Sequence, residues 1–260
     1  MQHIPELACN EFGTPLLNDL FEKAQKLAKY DLVCYVNADI ILMNDFMKAI
    51  ERVRNWRNHF LLTGMRWNVD ISGVLDFSQP EWESSFRDLV HKTGGLLTTQ
   101  GLIGFDYFVF TRNLFRDILP LAVGRGHHDT CLLWQARAQK VPVVDATDVV
   151  MAVHQNHDYS LKGMEGVGLW GILKGEEAQK NLEITDGGNL VRRTPDTTHR
   201  LTRVGVQLDV AGYFHLRDKW IAIWFFILKL TRPCRHALGL NALNLQRLKT
   251  LFERSKKRKI

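Results

Sequence analysis

The chain has 260 residues, 45% of them hydrophobic, and carries a formal charge of +6. This length suits one large domain, or a domain with an appendage. The longest apolar run, residues 220–228, is too short for a membrane-spanning helix, which needs about 20 residues. No nucleic-acid-binding motif accompanies the positive charge, so we expect no nucleic-acid partner. Four cysteines without CxxC spacing indicate a reducing compartment, and we expect a cytoplasmic protein.

Helical patterns recur along the N-terminal part of the chain. Thr14 followed by Pro15 is typical of a helix start, and apolar residues at helical spacing continue to about residue 29. Asn44 is expected to cap a second helix, which carries Phe46 on its apolar face. A short helix at residues 113–119 and a longer one ending at residue 139 follow.

Apolar runs between these helices predict strands. The runs lie at residues 32–36, 60–65, 101–110, 141–147 and 149–153. Continuous apolar strands that alternate with helices are typical of an α/β, Rossmann-like fold, with a mostly parallel sheet covered by helices on both faces. Residues 160–215 are rich in glycine and polar side chains and predict a flap with a small hairpin. In such sheets the ligand crevice lies beyond the carboxyl ends of the strands.

Asn37-Ala38-Asp39 follows the strand at residues 32–36 and interrupts an apolar segment. Burying an unpaired carboxylate costs several kcal/mol, so Asp39 needs a partner. The partner is a helix end, an arginine, or a divalent cation whose other ligands are phosphate oxygens. Carboxylate oxygens suit Mg²⁺ and Mn²⁺, which commonly bind one or two protein carboxylates together with substrate phosphates.

The segment HQNHDYS, residues 154–160, follows the last predicted strand. Its two histidines are not at the i, i+4 spacing of a helical zinc pair, and no cysteines flank them, so structural zinc is disfavoured. We expect one imidazole to complete a metal site begun by Asp39. His154 lies nearest the strand and is preferred over His157.

Three further segments carry candidate polar residues. Asp129, in GRGHHDT, is predicted to cap a helix, and a carboxylate fixed there could also accept a proton from a hydroxyl nucleophile. His128 beside it could assist or lie exposed in the loop. Asp106 in GFDYFVF could bind an acceptor sugar or a backbone turn. Arg66 in GMRWN could approach a diphosphate or pair with a carboxylate.

The order of these segments resembles the nucleotide-diphospho-sugar transferase (GT-A) fold. It is more closely similar to a group of glycosyltransferase-like proteins that carry NADI and HQNHDYS, here residues 37–40 and 154–160. The resemblance covers about residues 4–197. It implies transfer of a sugar from a nucleotide-diphosphate sugar donor to the hydroxyl group of a glycan or lipid-linked acceptor.

The resemblance also implies roles for single residues. Asp39 would be the ligand of Mn²⁺ or Mg²⁺, with His154 or His157 as the late histidine, and Asp129 would be the base that activates the acceptor. The family has an Asp-x-Asp element where this chain has Asn37 in the first position. Substrate contacts are expected from four residues: Asn37, Arg66, Asp106 and His128.

Only 36 residues precede Asn37, and they predict one helix but no earlier strand. GT-A folds bind the nucleotide base and ribose on an initial βαβ region, and each such unit takes roughly 30 residues or more. We therefore expect the first strands of the fold to be missing from a domain at residues 1–215.

Residues 216–260 predict a C-terminal helical appendage. Its apolar run from Trp220 to Leu228 is followed by a tail, residues 247–260, with seven Lys and Arg against one Glu. The run could pack on the domain, or it could lie in a membrane surface with its tryptophans at the headgroups. We expect the second arrangement, a peripheral membrane contact.

Two other functions fit the same residues. A metal-dependent phosphoesterase would use the histidine and aspartate clusters as a two-metal site, which needs more bridging carboxylates than lie near Asp39. A degenerate GT-A fold kept as a binding or scaffold module would account for Asn37 and for the missing first strands.

Overall fold

The computed structural model describes residues 3–93, 96–97, 105–156, 175–189 and 196–213. Contacts divide the chain into two units, residues 1–214 and 215–260. The second unit lies outside the described residues, so the predicted helix from Trp220 to Leu228, the basic tail and their membrane contact stay predictions. None of the described helices is long and apolar enough to cross a membrane.

Six helices lie in the described part of the first unit. They are α1 (Leu17–Leu27), α2 (Asn44–Trp56), α3 (Trp82–Lys92), α4 (His128–Ala138), α5 (Glu176–Ile184) and α6 (Val210–Tyr213). The strands are β1 (Leu32–Val36), β2 (Ile40–Ile41), β3 (Leu61–Thr63), β4 (Arg66–Val69), β5 (Leu96–Leu97), β6 (Tyr107–Thr111), β7 (Val143–Asp145), β8 (Ala152–Gln155), β9 (His199–Thr202) and β10 (Gly205–Leu208). The α/β class is confirmed, and β9 and β10 form the predicted small hairpin.

The strands form two sheets. The larger has the order β1-β6-β3-β7-β9-β10, and the smaller has the order β2-β8-β4-β5. In the larger sheet β3, β7 and β9 are parallel, whereas β6 is antiparallel to both β1 and β3. The prediction of a mostly parallel sheet is therefore wrong, because the sheet is mixed. A continuous apolar strand reveals burial on both faces, and burial does not depend on strand direction.

Strand β6 lies between two hydrophobic cores. Phe108 and Phe110 face the first core, which α1 and α4 cover with Phe21, Leu132 and other side chains. Tyr107 and Val109 face the second core, which contains Phe46 and Val53 of α2. Successive side chains of a strand point to opposite faces, so one apolar run serves both cores. A third core packs α3 against Val153 of β8.

Strand β1 is an edge strand, although its sequence reads as a buried one. Val33 and Tyr35 pack against the first core, while Cys34 is exposed and Val36 is 40% exposed. The apolar composition of β1 predicted a strand correctly. Its position in the sheet depends on which strands pair with it, and among the described strands only β6 does.

Three predicted helix details are wrong. Helix α1 begins after Leu16 and not after Thr14, and Met43 rather than Asn44 precedes α2. Thr14 instead accepts a hydrogen bond from Arg125 (3.2 Å). Residues 113–119 form no helix but a turn followed by bends and irregular backbone, and at its start Asn113 has a left-handed φ of 71° and its N–H donates to the Gln25 side chain (2.9 Å). Tertiary hydrogen bonds replace the predicted local caps, since the Leu17 N–H donates to the Leu121 carbonyl (2.9 Å) and the Asn44 N–H donates to Glu83 Oε1 (3.0 Å).

The chain crosses from the larger sheet to the smaller one after β1, β3 and β7, and it returns before β3, β6 and β9. We call the region of three of these crossings, at residues 37–39, 64–65 and 106, the sheet junction. At the second crossing the Met65 N–H donates to Thr147 Oγ1 (2.8 Å), and the Ala146 N–H donates to the Thr63 carbonyl (2.8 Å). These bonds join the crossing after β3 to the crossing after β7.

Only glycine fits at position 64, because Tyr107 and the Thr147 backbone approach its Cα closely. A Cβ atom there would clash with the hydroxyl of Tyr107, and it would lie 3.1 Å from the Thr147 backbone nitrogen. Tyr107 is fully buried, and its hydroxyl forms no hydrogen bond with the described residues. The ring cannot move aside without disturbing the second core.

We therefore expect Gly64→Ala to lower the free energy of unfolding by about 1–3 kcal/mol, the usual cost of overpacking. Tyr107→Phe removes the clashing oxygen without removing a hydrogen bond to a described residue, so it should cost little by itself. The double variant should then recover part of the loss, measured by urea unfolding. Strictly additive losses would show that the Tyr107 hydroxyl is not the obstacle.

Asp145 at the end of β7 is a buried carboxyl. Its Oδ1 accepts hydrogen bonds from the backbone N–H and the hydroxyl of Thr147 (2.9 and 2.5 Å). Burial raises its pKa above the ordinary value of 3.8, and the Thr147 bonds and Arg200 only partly oppose that rise. The folded state therefore binds this proton more tightly than the unfolded state, and the carboxyl lowers stability as pH rises through the raised pKa.

Asp145→Asn keeps an oxygen for both Thr147 bonds and removes the charge. We expect the variant to gain stability relative to the natural chain as pH rises from 4 to 8, measured by urea unfolding at each pH. Glu22→Gln, at an exposed site on α1, controls for the loss of one negative charge. A stability difference that does not change with pH would contradict the assigned cause.

Candidate functional site

Asn37 ties the end of β1 to the start of β6. Its backbone N–H donates to the Asp106 carbonyl (2.9 Å), and its side-chain amide donates to Asp106 Oδ1 (2.7 Å). Asp106 precedes β6 and yet lies beside residues that follow β1. It does so because β6 runs antiparallel to β1 and β3, which brings its first residues to the carboxyl ends of those strands.

Asp106 is the buried centre of this arrangement. Arg66 Nη1 is 2.8 Å from Asp106 Oδ1, and the two side chains are 15% and 6% exposed. Arg66 Nε also donates to Asn68 Oδ1 (3.0 Å). Among the described residues none donates a hydrogen bond to Asp106 Oδ2. Burial raises the pKa of Asp106, the nearby charge of Asp129 raises it further, and Arg66 and Asn37 oppose the rise.

Asp39 and His154 form a second pair. Strand β2 pairs with β8 so that Ile40 lies opposite His154, which brings the Asp39 carboxylate to the imidazole. His154 Nε2 is 3.1 Å from Asp39 Oδ2, and the side chains are 1% and 34% exposed. Asp39 therefore lies at the surface of the junction, and within the described part of the chain its carboxylate pairs with a histidine.

The Asp39–His154 pair has a spacing that suits two ligands of one cation. Neighbouring ligands of an octahedral Mg²⁺ or Mn²⁺ ion, with bonds of about 2.1 Å, lie about 3 Å apart. The described residues contain no group of three or more His, Cys, Asp or Glu side chains placed to hold a metal. His157, the predicted alternative ligand, lies outside the described residues. The pair alone could supply two ligands, and phosphate oxygens or water would complete the set.

Asp129 lies in the first turn of α4 and does not cap it, so that part of the prediction is wrong. His127 is the N-cap, with a left-handed φ of 62°, and its carbonyl accepts the first helical bond from the Cys131 N–H (3.0 Å). Asp129 Oδ1 accepts from the Thr130 N–H (2.8 Å). A carboxylate in a first turn is stabilised by the helix dipole. His128 is half-buried, and its Nδ1 forms no hydrogen bond within the described part of the chain.

Three carboxylates lie within electrostatic range of the Tyr35 hydroxyl. Burial raises the pKa of its hydroxyl, and the charges of Asp129, Asp106 and Asp39 each raise it further. Tyr35 is in β1, and its ring packs against Phe21 and Phe108. The phenol thus lies close enough to all three aspartates to respond to each of them.

The structure therefore brings together five predicted residues at the junction and places a sixth nearby. Hydrogen bonds and ion pairs connect Asn37, Arg66 and Asp106, and separately Asp39 and His154, while Asp129 acts on this region through its charge. Sequence analysis missed Tyr35 and Asn68. Asn68 is two residues from Arg66 on the same face of β4, and this period-two spacing could have identified it.

Comparison of the chain with protein-family models, curated proteins and solved structures finds no match. The fold and the side chains of the junction are therefore the basis for assigning a function. They define an α/β protein with an acidic, partly buried group of side chains where its two sheets meet.

The Arg66–Asp106 pair is expected to stabilise the fold mainly through its charges. Arg66→Met leaves Asp106 buried beside Asp129 without its counter-charge, and removing one partner of a buried pair is strongly destabilising. Because Arg66 is partly exposed, we expect a loss of about 2–4 kcal/mol at pH 7, less than a fully buried pair would lose. Thermal unfolding would measure it.

The compensating variant Arg66→Met/Asp106→Asn removes both charges and keeps an oxygen for Asn37. It should recover a large part of that loss, since a neutral pair leaves no buried charge without a partner. If the double variant were as unstable as Arg66→Met, packing of the arginine stem and not its charge would be the stabilising contribution.

Proposed function

We propose that the chain is a glycosyltransferase of GT-A type, which moves a sugar from a nucleotide-diphosphate sugar to a glycan or lipid-linked hydroxyl acceptor. The observation that supports this most is the Asp39–His154 pair, with 3.1 Å between Oδ2 and Nε2. The carboxylate of this pair, at the carboxyl end of a strand, is a ligand suited to Mn²⁺ or Mg²⁺, and the imidazole is a common ligand of first-row divalent ions. The resemblance of NADI and HQNHDYS to glycosyltransferase-like proteins supports the same assignment.

The charges of the junction also support a role for a cation. Asp39, Asp106 and Asp129 all act on Tyr35, and Arg66 is already paired with Asp106. A donor diphosphate would add negative charge to a site that is already acidic. Its binding near Asp39 therefore requires a cation, and Asp39 and His154 are the residues that would hold it.

In the proposed reaction, the acceptor oxygen forms a bond to the anomeric carbon while the bond from that carbon to the diphosphate oxygen breaks. Asp129 takes the hydroxyl proton as general base, and the diphosphate leaves with the bonding electron pair. A divalent cation, when bound, neutralises charge on the diphosphate. Asn37 and Arg66 keep Asp106 in place beside these groups. Because there is a single displacement, the configuration at the anomeric carbon is inverted.

A binding protein of the same fold without catalysis is the second candidate. Asn37 favours it, because its amide is hydrogen-bonded to Asp106 and does not supply a second carboxylate for a metal. A phosphoesterase is less well supported, since a two-metal site needs bridging carboxylates. No suitable group of three ligands occurs within the described ranges.

One experiment separates transfer from binding alone. The full chain is incubated with Mn²⁺, a panel of nucleotide-diphosphate sugars and candidate acceptors, and release of nucleoside diphosphate is measured. We expect Asp129→Asn to keep Mn²⁺-dependent donor binding and to lose transfer by about 10²-fold or more, the usual contribution of a general base. We expect Asp39→Asn to weaken Mn²⁺ binding by more than about tenfold. Even the loss of a group that only hydrogen-bonds to a metal ligand weakens metal binding by about tenfold or more.

Glu22→Gln, which removes an exposed carboxylate of α1 that lies outside both the junction and the ion pairs described, is the matched control and should leave both readouts unchanged. Donor binding without nucleotide release in the natural chain would favour the binding protein. Normal transfer by Asp129→Asn would exclude its role as base. Mn²⁺ binding that Asp39→Asn leaves intact would exclude the proposed metal site.

A further inference from the structure

A second site is indicated by a basic cleft of about 500 Å³ on the first unit. Helix α2 lines it with Lys48 and Arg52, α3 with Arg87, and the turn between β9 and β10 with Arg203. The volume is within the range of small-molecule sites. We call this the α2–α3 cleft.

The charges that line the α2–α3 cleft do not cancel. Arg87 is paired with Asp45 (2.5 Å), and Asp148 lies 3.9 Å from Arg200, which is outside the lining. In the described ranges no carboxylate forms an ion pair with Lys48, Arg52 or Arg203. The lining therefore has four cationic side chains against two carboxylates, Asp45 and Asp148, a net charge of +2, which is a favourable environment for an anion.

Two of the arginines are held in place. Arg52 Nη2 donates to the carbonyl oxygens of Thr202 and of Arg203 (3.1 Å for the latter), which ties α2 to the β9–β10 turn. Arg87 is fixed by Asp45, whose Oδ2 also accepts from the Met151 N–H (3.1 Å). A guanidinium that is already oriented loses less entropy when it binds a ligand. Lys48 and Arg203 are exposed and can close on a ligand from either side.

We infer that the α2–α3 cleft binds a small phosphorylated molecule, with Arg52, Lys48 and Arg203 as its anion contacts. Phosphate oxygens match the planar donors of arginine and the ammonium group of lysine. Trp67 and Met151 form an apolar wall that suits an uncharged part of such a ligand. This binding needs no metal ion, whereas the proposed donor site requires one.

Titration calorimetry of the full chain with pyrophosphate, in EDTA and about 50 mM salt, tests the inference independently of transfer. We expect saturable binding that weakens severalfold at about 200 mM salt, as screening increases. Lys48→Met and Arg203→Met should each weaken it by about tenfold, the equivalent of one charge-assisted hydrogen bond. Both residues are exposed, so folding should be retained, and circular dichroism would check it.

Arg54→Met is the matched control, since Arg54 is an exposed cation of the same helix and does not line the α2–α3 cleft. It should leave pyrophosphate affinity unchanged. Absence of pyrophosphate binding in EDTA would overturn the inference. An equal loss of pyrophosphate affinity in all three variants would also overturn it, because it would indicate attraction to net charge alone. Mn²⁺-dependent donor binding at Asp39 is a separate measurement, so either proposal can fail without the other.

Discussion

The junction between the two sheets depends on one oxygen atom, Asp106 Oδ1. It accepts hydrogen bonds from Asn37 at the end of β1 and from Arg66 at the start of β4, and it belongs to the residue before β6. A buried carboxylate is costly unless its partners are well placed. Here the carboxylate and its two partners come from three chain segments, so satisfying Asp106 also sets the relative positions of three strand ends.

An electrostatic consequence follows from that arrangement. Because Arg66 is paired with Asp106, it does little to offset the charges of Asp39 and Asp129 near Tyr35. The junction is acidic even though the whole chain carries +6, and the positive charge collects elsewhere, in part at the α2–α3 cleft. The two regions thus offer opposite environments, one for a cation and one for an anion. A protein that handled phosphorylated compounds could use both.

The local sequence pattern predicts some properties of individual strands and helices and not others. The run at residues 32–36 predicted β1 with its correct bounds, because apolar, β-branched and aromatic residues favour a strand wherever it lies. The same pattern did not reveal that β1 is at an edge of the sheet or that β6 runs antiparallel. Thr14, Asn44 and Asp129 are good capping residues by type, and none of them caps its helix. Tertiary hydrogen bonds and loop geometry determine where those helices begin.

The sequence by itself determined that this is an α/β chain and that polar residues collect where strands end. Side-chain period and polarity are local properties, so Asn37, Asp39, Arg66 and His154 could be selected without a structure. Only the tertiary structure decided the partners: Asp39 with His154, and Asp106 with Asn37 and Arg66. Partner choice follows from strand direction and register, which arise from contacts between residues far apart in the chain and are not encoded in any short segment.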